Sequence, residues 1–421
     1  CGSRMSYSSP KSNKRPDLQG GIFAYAGEGF GPLGEFISGW SYWLSAWLGN
    51  IAFATMLMSS IGTFIPTFKG GQNVPSIIVA IIFCWLLTIL VNNGVESATF
   101  VNMIGTICKI VPLIIFIIIM FVCFKGGMFT ADFWGKVASN ATKGTTTGSV
   151  WTQMKGTLMT LIWVFIGIEG ASVMAHRAKS RSEAEQASVI SFILLVIIYV
   201  LISILPYGAL TRAQLAGMGQ PALGHVLEMT VGHWGAVLIN VGLIISTIVS
   251  WLSWTMLPAE TTMLVADDKA MPKAWGKVNS KNAPTTSLMI TGVLQTIFLF
   301  SLLFTEKAYE FAYSLCAAAI LFSYLFVGLY QMKLSSERKE WGQYTVGLLS
   351  ALFMFACMFL AGWQEVLLVT ISFIPGFCVY YAGCKENNHK FSKAELWTMG
   401  LILVLSVIAI VLVFNGTITI S

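Results

Sequence analysis

The chain has 421 residues, of which 56% are hydrophobic and only 10% are charged, and its mean hydropathy is +0.74. A soluble domain carries about 25% charged residues, so this composition excludes an ordinary soluble protein and indicates a chain built for lipid. The net charge of +6 then indicates membrane topology and not nucleic-acid binding. The eight cysteines show no metal-binding spacing, and most lie in apolar runs where a free cysteine behaves as a small hydrophobic residue.

Apolar runs long enough to cross a bilayer dominate the chain after a polar N-terminal segment, 1–32. Such a crossing takes roughly 17–25 residues as a helix. Eleven runs qualify, at about 36–64, 75–93, 99–124, 153–174, 187–208, 234–257, 286–304, 309–332, 344–362, 365–383 and 396–415. The N-terminal segment has no apolar core of the kind a signal peptide needs. The sequence therefore predicts an all-α polytopic membrane protein with about eleven transmembrane helices.

The distribution of lysine and arginine predicts the orientation of these helices. The N-terminal segment and the alternate loops on its side hold seventeen of the 25 basic residues, and the opposite loops hold six. Cytoplasmic loops are enriched in lysine and arginine. We therefore expect a multi-pass protein of a bacterial cell membrane, with its N-terminal segment in the cytoplasm and its C-terminus outside.

The first run contains GWSYWLSAWLGN, residues 39–50, in which one helix face combines small and polar side chains. The residues on that face are Tyr42, Ser45, Ala46 and Asn50. Residues three and four apart share a helix face. In a membrane such a face suits either close helix packing or a ligand cavity. The pattern alone leaves both readings open.

One carboxylate, Glu169, lies inside the fourth run between Gly167 and Gly170. An acid at the centre of a membrane helix costs roughly 2.5–3.5 kcal/mol on insertion scales, and such residues usually face a cavity or a partner. The flanking glycines weaken the helix, and broken helices mark the midplane binding sites of secondary transporters. A purely structural pairing with Lys109 or with a hydroxyl is the alternative. We favour a functional carboxylate.

Two tryptophans and a lysine are the other candidate residues within the runs. Trp163 lies six residues before Glu169, and Trp254 occupies the sixth run. An indole face attracts a guanidinium or ammonium group by roughly 0.5–2 kcal/mol, although most membrane tryptophans serve packing. Lys109, in the third run, could titrate or take the place of a metal cation, or its side chain could extend to the cytoplasmic surface.

Signatures of catalysis are absent from the sequence, which holds no HExxH, GxSxG or P-loop motif. None of the four histidines lies within a helical turn of another on a predicted helix. A membrane enzyme would lack a nucleophile and base, and no filter-like stretch indicates a channel. Transport of a cationic solute fits the residues best, with no catalytic residue, metal or cofactor expected.

Several ordered motifs resemble the amino acid–polyamine–organocation (APC) superfamily, from about residue 15 to the C-terminus. RPDLQGGIFAYAGEGFGPLGEF resembles the segment that joins that family's second and third helices, and YWLSAWLGN resembles its third helix. LIWVFIGIEGASVMA is similar to the broken sixth helix, and SWTMLPAETTMLVADDKAMP to the eighth helix and following loop. Within the basic amino acid antiporter branch, the motifs look most like arginine:ornithine antiporters.

This resemblance implies a LeuT-type fold of inverted repeats and assigns roles to particular positions. The substrate-binding positions it implies are Trp163, Ile166, Trp254, Ser45, Ala46, Asn50 and Cys316. The gating or proton-linked positions it implies are Tyr42, Glu169, Tyr324 and Lys109. In some relatives a lysine at the place of Lys109 replaces sodium, so we expect no sodium dependence.

The family's first helix and nearly all of its second have no counterpart in this sequence. On the resemblance, residues 1–32 are a cytoplasmic remnant, 33–332 the transporter core (family helices three to ten) and 333–421 extra C-terminal helices. We expect exchange of cationic amino acids by alternating access, most simply arginine for ornithine, with lysine as a further substrate. A homodimer is compatible with this prediction. The alternatives are a proton-coupled lysine/arginine uptake permease and a truncated fragment that does not transport.

Overall fold

The computed structural model describes residues 21–131, 133, 149–169, 181–304, 308–360 and 362–418, and within them the regular structure is helical. The long helices are α1 (Ile22–Gly62), α2 (Val74–Asn92), α3 (Val95–Cys123), α4 (Val150–Phe165), α5 (Arg181–Ile204), α6 (His233–Asp267), α7 (Thr285–Ser301), α8 (Ala308–Glu337), α9 (Trp341–Leu360), α10 (Trp363–Ile371), α11 (Phe373–Glu386) and α12 (Lys393–Phe414). Over this described part, nine helices are long and apolar enough to cross a membrane, and α10 and α11, bent by 45° relative to each other, meet the same criteria only when they are taken together. The protein is a multi-pass membrane protein.

Each predicted run overlaps one of these helices or the α10–α11 pair, but α4 has only 16 residues, so nine or ten described spans stand against the eleven predicted. The ends of the runs also differ. The first helix begins at Ile22, fourteen residues before the predicted start at 36. Two glutamates and several glycines lower the hydropathy of residues 22–35, but tertiary packing stabilises the helix there. The predicted run 153–174 corresponds to a helix that ends at Phe165, and its residues 170–174 lie outside the described residues. Longer helices replace the predicted runs 234–257 and 309–332.

A break at Gly31 divides α1 into a short arm, residues 22–30, and a long span. Gly31 has φ 79° and ψ −174°, a conformation that glycine adopts without the cost a side chain would bring, and Pro32 follows it. The arm packs against the last turns of α8, where the rings of Tyr25 and Tyr330 stack at 5.6 Å. The ammonium of Lys333 also donates to the Gly29 carbonyl oxygen at 2.7 Å.

Side-chain caps fix the beginnings of several helices, among them α4 and α12. The Ser149 hydroxyl accepts a hydrogen bond from the Thr152 N–H at 3.2 Å and so starts α4. Ser392 and Glu395 form a reciprocal capping box at the start of α12. The first of these caps lies at the opposite end of α4 from Trp163.

The long helix α1 lies at the centre of the molecule. Its most apolar stretch is 83% buried by protein, against 11% for α5, which is the pattern of an inner helix and a lipid-facing one. Its main partners are α8 and α6. A Cβ on Gly39 would lie 2.5 Å from Val265 of α6, so the glycine permits this close approach. Ala317, Ala318 and Ala319 of α8 are fully buried.

Hydrogen bonds between side chains and neighbouring helices hold α1 in this position. Ser323 of α8 donates to the Ser38 carbonyl oxygen at 2.7 Å, and the Trp43 indole N–H donates to the Thr291 hydroxyl of α7 at 3.0 Å. Polar groups in an apolar interior are costly unless they are paired. These bonds therefore fix the faces that α1 presents to α8 and α7.

Candidate substrate site

The chain leaves helical geometry directly after α4, at the sequence that flanks the buried acid. Ile166 has extended torsion angles, and Gly167 has φ 109°, which disfavours residues with a side chain. The released N–H of Gly167 donates to both carboxylate oxygens of Glu169, at 3.0 and 3.1 Å. The glycine therefore allows the turn, and the acid accepts the backbone hydrogen bond that the helix has lost. Gly170 lies outside the described residues.

Glu169 is the centre of what we call the carboxylate cluster, which consists of Glu169, Tyr324 and Tyr42. The Tyr324 hydroxyl on α8 donates to the Glu169 carboxylate at 2.6 Å, the length of a charge-assisted hydrogen bond. The fully buried hydroxyl of Tyr42 on α1 approaches the same carboxylate but has no close hydrogen-bond partner among the described residues. Of the two structural partners foreseen for Glu169, a lysine or a hydroxyl, the hydroxyl is the one observed.

The predicted face of α1 continues from Tyr42 to a buried contact with α8, which we call the α1–α8 wall. The Ser45 hydroxyl donates to the Cys316 carbonyl oxygen at 2.8 Å and lies 3.4 Å from the Cys316 thiol sulfur. Ala46 is fully buried beside them, and a Cβ on Gly49 would lie 3.4 Å from the same sulfur. Ser45 and Cys316, two positions at which the resemblance implies substrate binding, therefore lie in direct contact.

Asn50 connects this wall to α6. Its amide nitrogen donates to the Trp254 carbonyl oxygen at 3.1 Å. Its amide oxygen is buried and has no hydrogen-bond partner within the described ranges. A buried carbonyl without a donor is uncommon in proteins, and it is a good acceptor for an N–H group of a ligand.

An aromatic group, which we call the tryptophan cluster, lies around the end of α4. It consists of Trp163, Phe53 of α1, and Tyr309 and Tyr313 of α8. The ring centroid of Trp163 lies 5.3 Å from Tyr313, 5.9 Å from Tyr309 and 6.4 Å from Phe53. Phe53 also lies 6.4 Å from Trp254, so one phenyl ring joins the two predicted tryptophans.

Trp254 also touches the helix break, because a Cβ on Gly167 would lie 3.1 Å from its indole ring. Ile166 is half-buried and packs against the central hydrophobic core. The break, both tryptophans and the α1 face therefore surround one region between α1, α4, α6 and α8.

Sequence reasoning missed Phe53, Tyr309 and Tyr313. The sequence signal that could have found two of them is their helical spacing from residues that were already candidates. Phe53 lies three residues after Asn50, and Tyr313 lies three before Cys316. Aromatic residues are too frequent in these helices for that spacing alone to have singled them out.

Lys109 lies apart from these clusters. Its ammonium on α3 donates to the Ser250 hydroxyl of α6 at 2.9 Å, one turn before Trp254. The lysine therefore ties α3 to the helix that carries a pocket tryptophan, and any influence on Glu169 is indirect.

The chemistry of the region is that of binding a cation. Two indole rings, an unpaired amide oxygen and a carboxylate offer π-faces, an acceptor and a negative charge among side chains that are partly or fully buried. Aliphatic and small side chains fill the remainder. A planar or elongated cation with an apolar stem matches this combination.

Comparison with known proteins identifies a family and several similar transporters. Residues 12–384 match the model of a family described as amino acid permease. An arginine/ornithine antiporter of Latilactobacillus sakei is 48% identical over 97% of this chain and 86% of its own length. An arginine/ornithine antiporter of Lactococcus lactis subsp. cremoris is 41% identical over 96% of this chain and 79% of its own. An arginine/agmatine antiporter of Chlamydia felis is 37% identical over 94% of this chain and 84% of its own.

These matches extend through every helix that builds the region described above, from α1 to α8. The chain belongs to the amino acid permease family, within the APC superfamily of membrane transporters.

Proposed function

We propose that this protein exchanges arginine for ornithine across the membrane by alternating access. The observation that carries the proposal is the meeting of Trp163, Trp254 and the unpaired Asn50 oxygen around a break in α4. The names of the relatives support the substrate pair, since two of them are arginine/ornithine antiporters.

The side chain of the substrate lies against Trp163 in this proposal. A guanidinium or ammonium group over an indole face gains roughly 0.5–2 kcal/mol, more where water is excluded. The Asn50 amide oxygen accepts one N–H of that group. Ile166 and Trp254 contact the apolar stem.

Small residues on α1 and α8 set the depth of the pocket. Ser45, Ala46 and Cys316 form its floor, and the Ser45–Cys316 hydrogen bond keeps α1 and α8 in register there. Arginine and ornithine share the amino-acid backbone and differ at the end of the side chain. A pocket with one π-face and one neutral acceptor accommodates both ends, as an exchanger requires.

The carboxylate cluster acts as the inner gate. Glu169 accepts hydrogen bonds from α8 and from the break after α4, so it holds two elements that must separate when the site opens inward. Binding of a substrate can shift this equilibrium only by its difference in affinity for the two states. Lys109 stabilises the contact between α3 and α6 at the position where some transporters hold sodium.

The orientation follows from the charge asymmetry. The basic N-terminal segment and the loops on its side lie in the cytoplasm, and the C-terminus lies outside. On this orientation the beginnings of α4 and α8 face outward, so the tryptophan cluster lies on the outer side of the pocket. The carboxylate cluster lies on the inner side, in the cell membrane of a bacterium.

A counterflow assay tests the exchange. Proteoliposomes are loaded with ornithine, agmatine, lysine or buffer alone, and uptake of external radiolabelled arginine is followed. We expect rapid uptake with internal ornithine and almost none with buffer. Equal uptake into empty vesicles driven by a proton gradient would contradict exchange and favour a permease.

The same assay separates the two substrate pairs named by the relatives. If arginine uptake is faster with internal agmatine than with internal ornithine, then agmatine is the counter-substrate, and the exchange mechanism still holds. Protein-free liposomes and liposomes with the Trp163→Leu variant serve as controls.

A further inference from the structure

Three rings have centroids within 6.4 Å of the Trp163 ring, and two of them, Tyr309 and Tyr313, come from the first two turns of α8. The Tyr313 ring is tilted by only 33° from the indole at 5.3 Å, so it lies near one indole face. Tyr309 meets the indole edge-on, at 89° and 5.9 Å, and meets Tyr313 at 65° and 5.3 Å. These are the geometries that aromatic rings favour in contact.

A hydrogen bond connects the same two helices. The Thr160 hydroxyl on α4 donates to the Tyr313 hydroxyl at 3.3 Å. Thr160 lies three residues before Trp163, so both contacts to Tyr313 come from one face of α4. Tyr313 is therefore held on α4 by its ring and by its hydroxyl.

The tyrosines lie between the pocket and the outer end of α8. Since an α-helix rises about 1.5 Å per residue, Tyr313 and Tyr309 lie roughly 4.5 and 10 Å beyond Cys316 along the helix. Cys316 itself is only 1% exposed and is bonded to Ser45. Counted from the beginning of α8, both tyrosines therefore precede Cys316, and on the proposed orientation they lie on its outer side.

We propose that Tyr309 and Tyr313 form the outer lid of the substrate pocket, with Tyr313 positioning the indole of Trp163 over it. This inference rests on the proposed transport function and adds residues to it. Tyr313 covers one indole face and leaves the other for the substrate. Movement of the first turns of α8 away from α4 breaks the ring contacts and the Thr160 bond together, which opens the site outward.

Labelling of Cys316 tests the lid without any transport measurement. The intact protein in sealed, uniformly oriented proteoliposomes is treated from outside with a membrane-impermeant methanethiosulfonate reagent. Peptide mass spectrometry then measures the modified fraction of Cys316. We expect slow labelling in the unaltered protein and a roughly tenfold or greater rise in the labelling rate for Tyr313→Ala and for Tyr309→Ala/Tyr313→Ala.

Two controls give the result its meaning. Tyr313→Phe keeps the ring and loses only the Thr160 bond, so its labelling rate should stay within about threefold of the unaltered protein. Tyr207→Ala removes a tyrosine that is 45% exposed, in a segment (Leu205–Gly208) that packs against α3 and α5, and it should change nothing. If both alanine variants label Cys316 no faster than Tyr207→Ala does, the lid is overturned.

Transport readouts separate the lid from the proposed substrates. In the alanine variants we expect slower exchange and increased uptake into vesicles that hold no counter-substrate, because closure no longer waits for bound substrate. Faster labelling together with no exchange of arginine for ornithine in the unaltered protein would leave the lid standing and reject the proposed function. If the alanine variants label Cys316 no faster while the unaltered protein exchanges arginine for ornithine normally, only the lid is rejected.

Discussion

The tryptophan cluster includes the last turn of α4 and the carboxylate cluster includes the residues after its break, and each is held together by a different kind of contact. Around Trp163 the contacts are aromatic rings whose centroids lie 5.3–6.4 Å away. One neutral hydrogen bond, from the Thr160 hydroxyl to the Tyr313 hydroxyl, accompanies them. Around Glu169 they are hydrogen bonds to a carboxylate, from Tyr324 at 2.6 Å and from Gly167. Ring contacts do not change with protonation, whereas bonds to a carboxylate do.

This difference assigns separate tasks to the two clusters. An aromatic pair contributes about 0.5–1.5 kcal/mol, so several weak contacts can open and close readily and can be replaced by contacts to a substrate. A hydrogen bond to a charged group contributes about 1.5–3 kcal/mol and depends on the charge state of the acid. On the proposed function, recognition therefore belongs to the aromatic side and sensitivity to pH to the acidic side.

Removing the indole of Trp163 should have the largest effect of all. Trp163→Leu deletes the surface on which the cation lies and also the partner of Tyr313, so we expect arginine exchange to fall at least a hundredfold. Counterflow in proteoliposomes measures this, and gel filtration in detergent checks that the variant folds. Trp163→Phe keeps a smaller π-face and should retain part of the activity. Unchanged arginine uptake by the Trp163→Leu variant would contradict the stacking of the substrate on Trp163.

Neutralising the acid should have the next largest effect and a different character. Glu169→Gln keeps the size of the side chain but loses the charge that strengthens the Tyr324 hydrogen bond, so we expect exchange to fall roughly tenfold, the equivalent of about 1.4 kcal/mol. We also expect a flatter dependence of the exchange rate on pH than in the unaltered protein.

The matched variant for this comparison is Tyr324→Phe. It removes the donor and keeps the acid, so the rate should drop while the pH dependence persists. Measuring exchange between pH 5 and 8 for both variants and for Trp163→Phe separates the clusters. A pH profile that changes with Trp163→Phe and not with Glu169→Gln would reverse the division of tasks.

A substitution at Gly167, in the backbone between the two clusters, should have a third and smaller effect. Gly167 has φ 109°, and an added Cβ would lie 3.1 Å from the Trp254 ring. Residues held in such strained conformations cost of order 1–3 kcal/mol. We expect Gly167→Ala to slow exchange severalfold and to lower the thermal midpoint of the detergent-solubilised protein by a few degrees. Gly156→Ala is the control, because a Cβ there meets open space; equal behaviour of the two variants would contradict the strain.

How far the sequence predicts this molecule depends on how rare each signal is. Apolar runs predict the helices well, because crossing lipid demands a length that few other segments reach. Glu169 stands out because an acid in such a run is costly, and Gly167 beside it predicts the break. The arm before Gly31 escaped prediction because its stability comes from packing on α8, which local composition does not contain.

The same reasoning explains which site residues could be found. Ser45, Ala46 and Asn50 were named as one helix face, and the structure places Ser45 on Cys316 and Asn50 on Trp254, contacts more than 200 residues apart in sequence. No periodicity predicts those partners. Tyr309 and Tyr313 could not be found, since tyrosines within two turns of a helix start are also common at membrane interfaces.

The smallest effect is expected from changing the cations in solution. The Lys109 ammonium already donates to Ser250 of α6, so a positive charge occupies the junction of α3 and α6 without an added ion. Replacing sodium by potassium or choline on both sides should therefore alter arginine exchange less than twofold. Lys109→Gln shortens the side chain and removes its charge, so it should slow exchange while leaving the pH profile set by Glu169 in place. Strong activation of the unaltered protein by sodium would show that the ammonium does not serve as the built-in cation, and Lys109 would then be a packing residue outside both clusters.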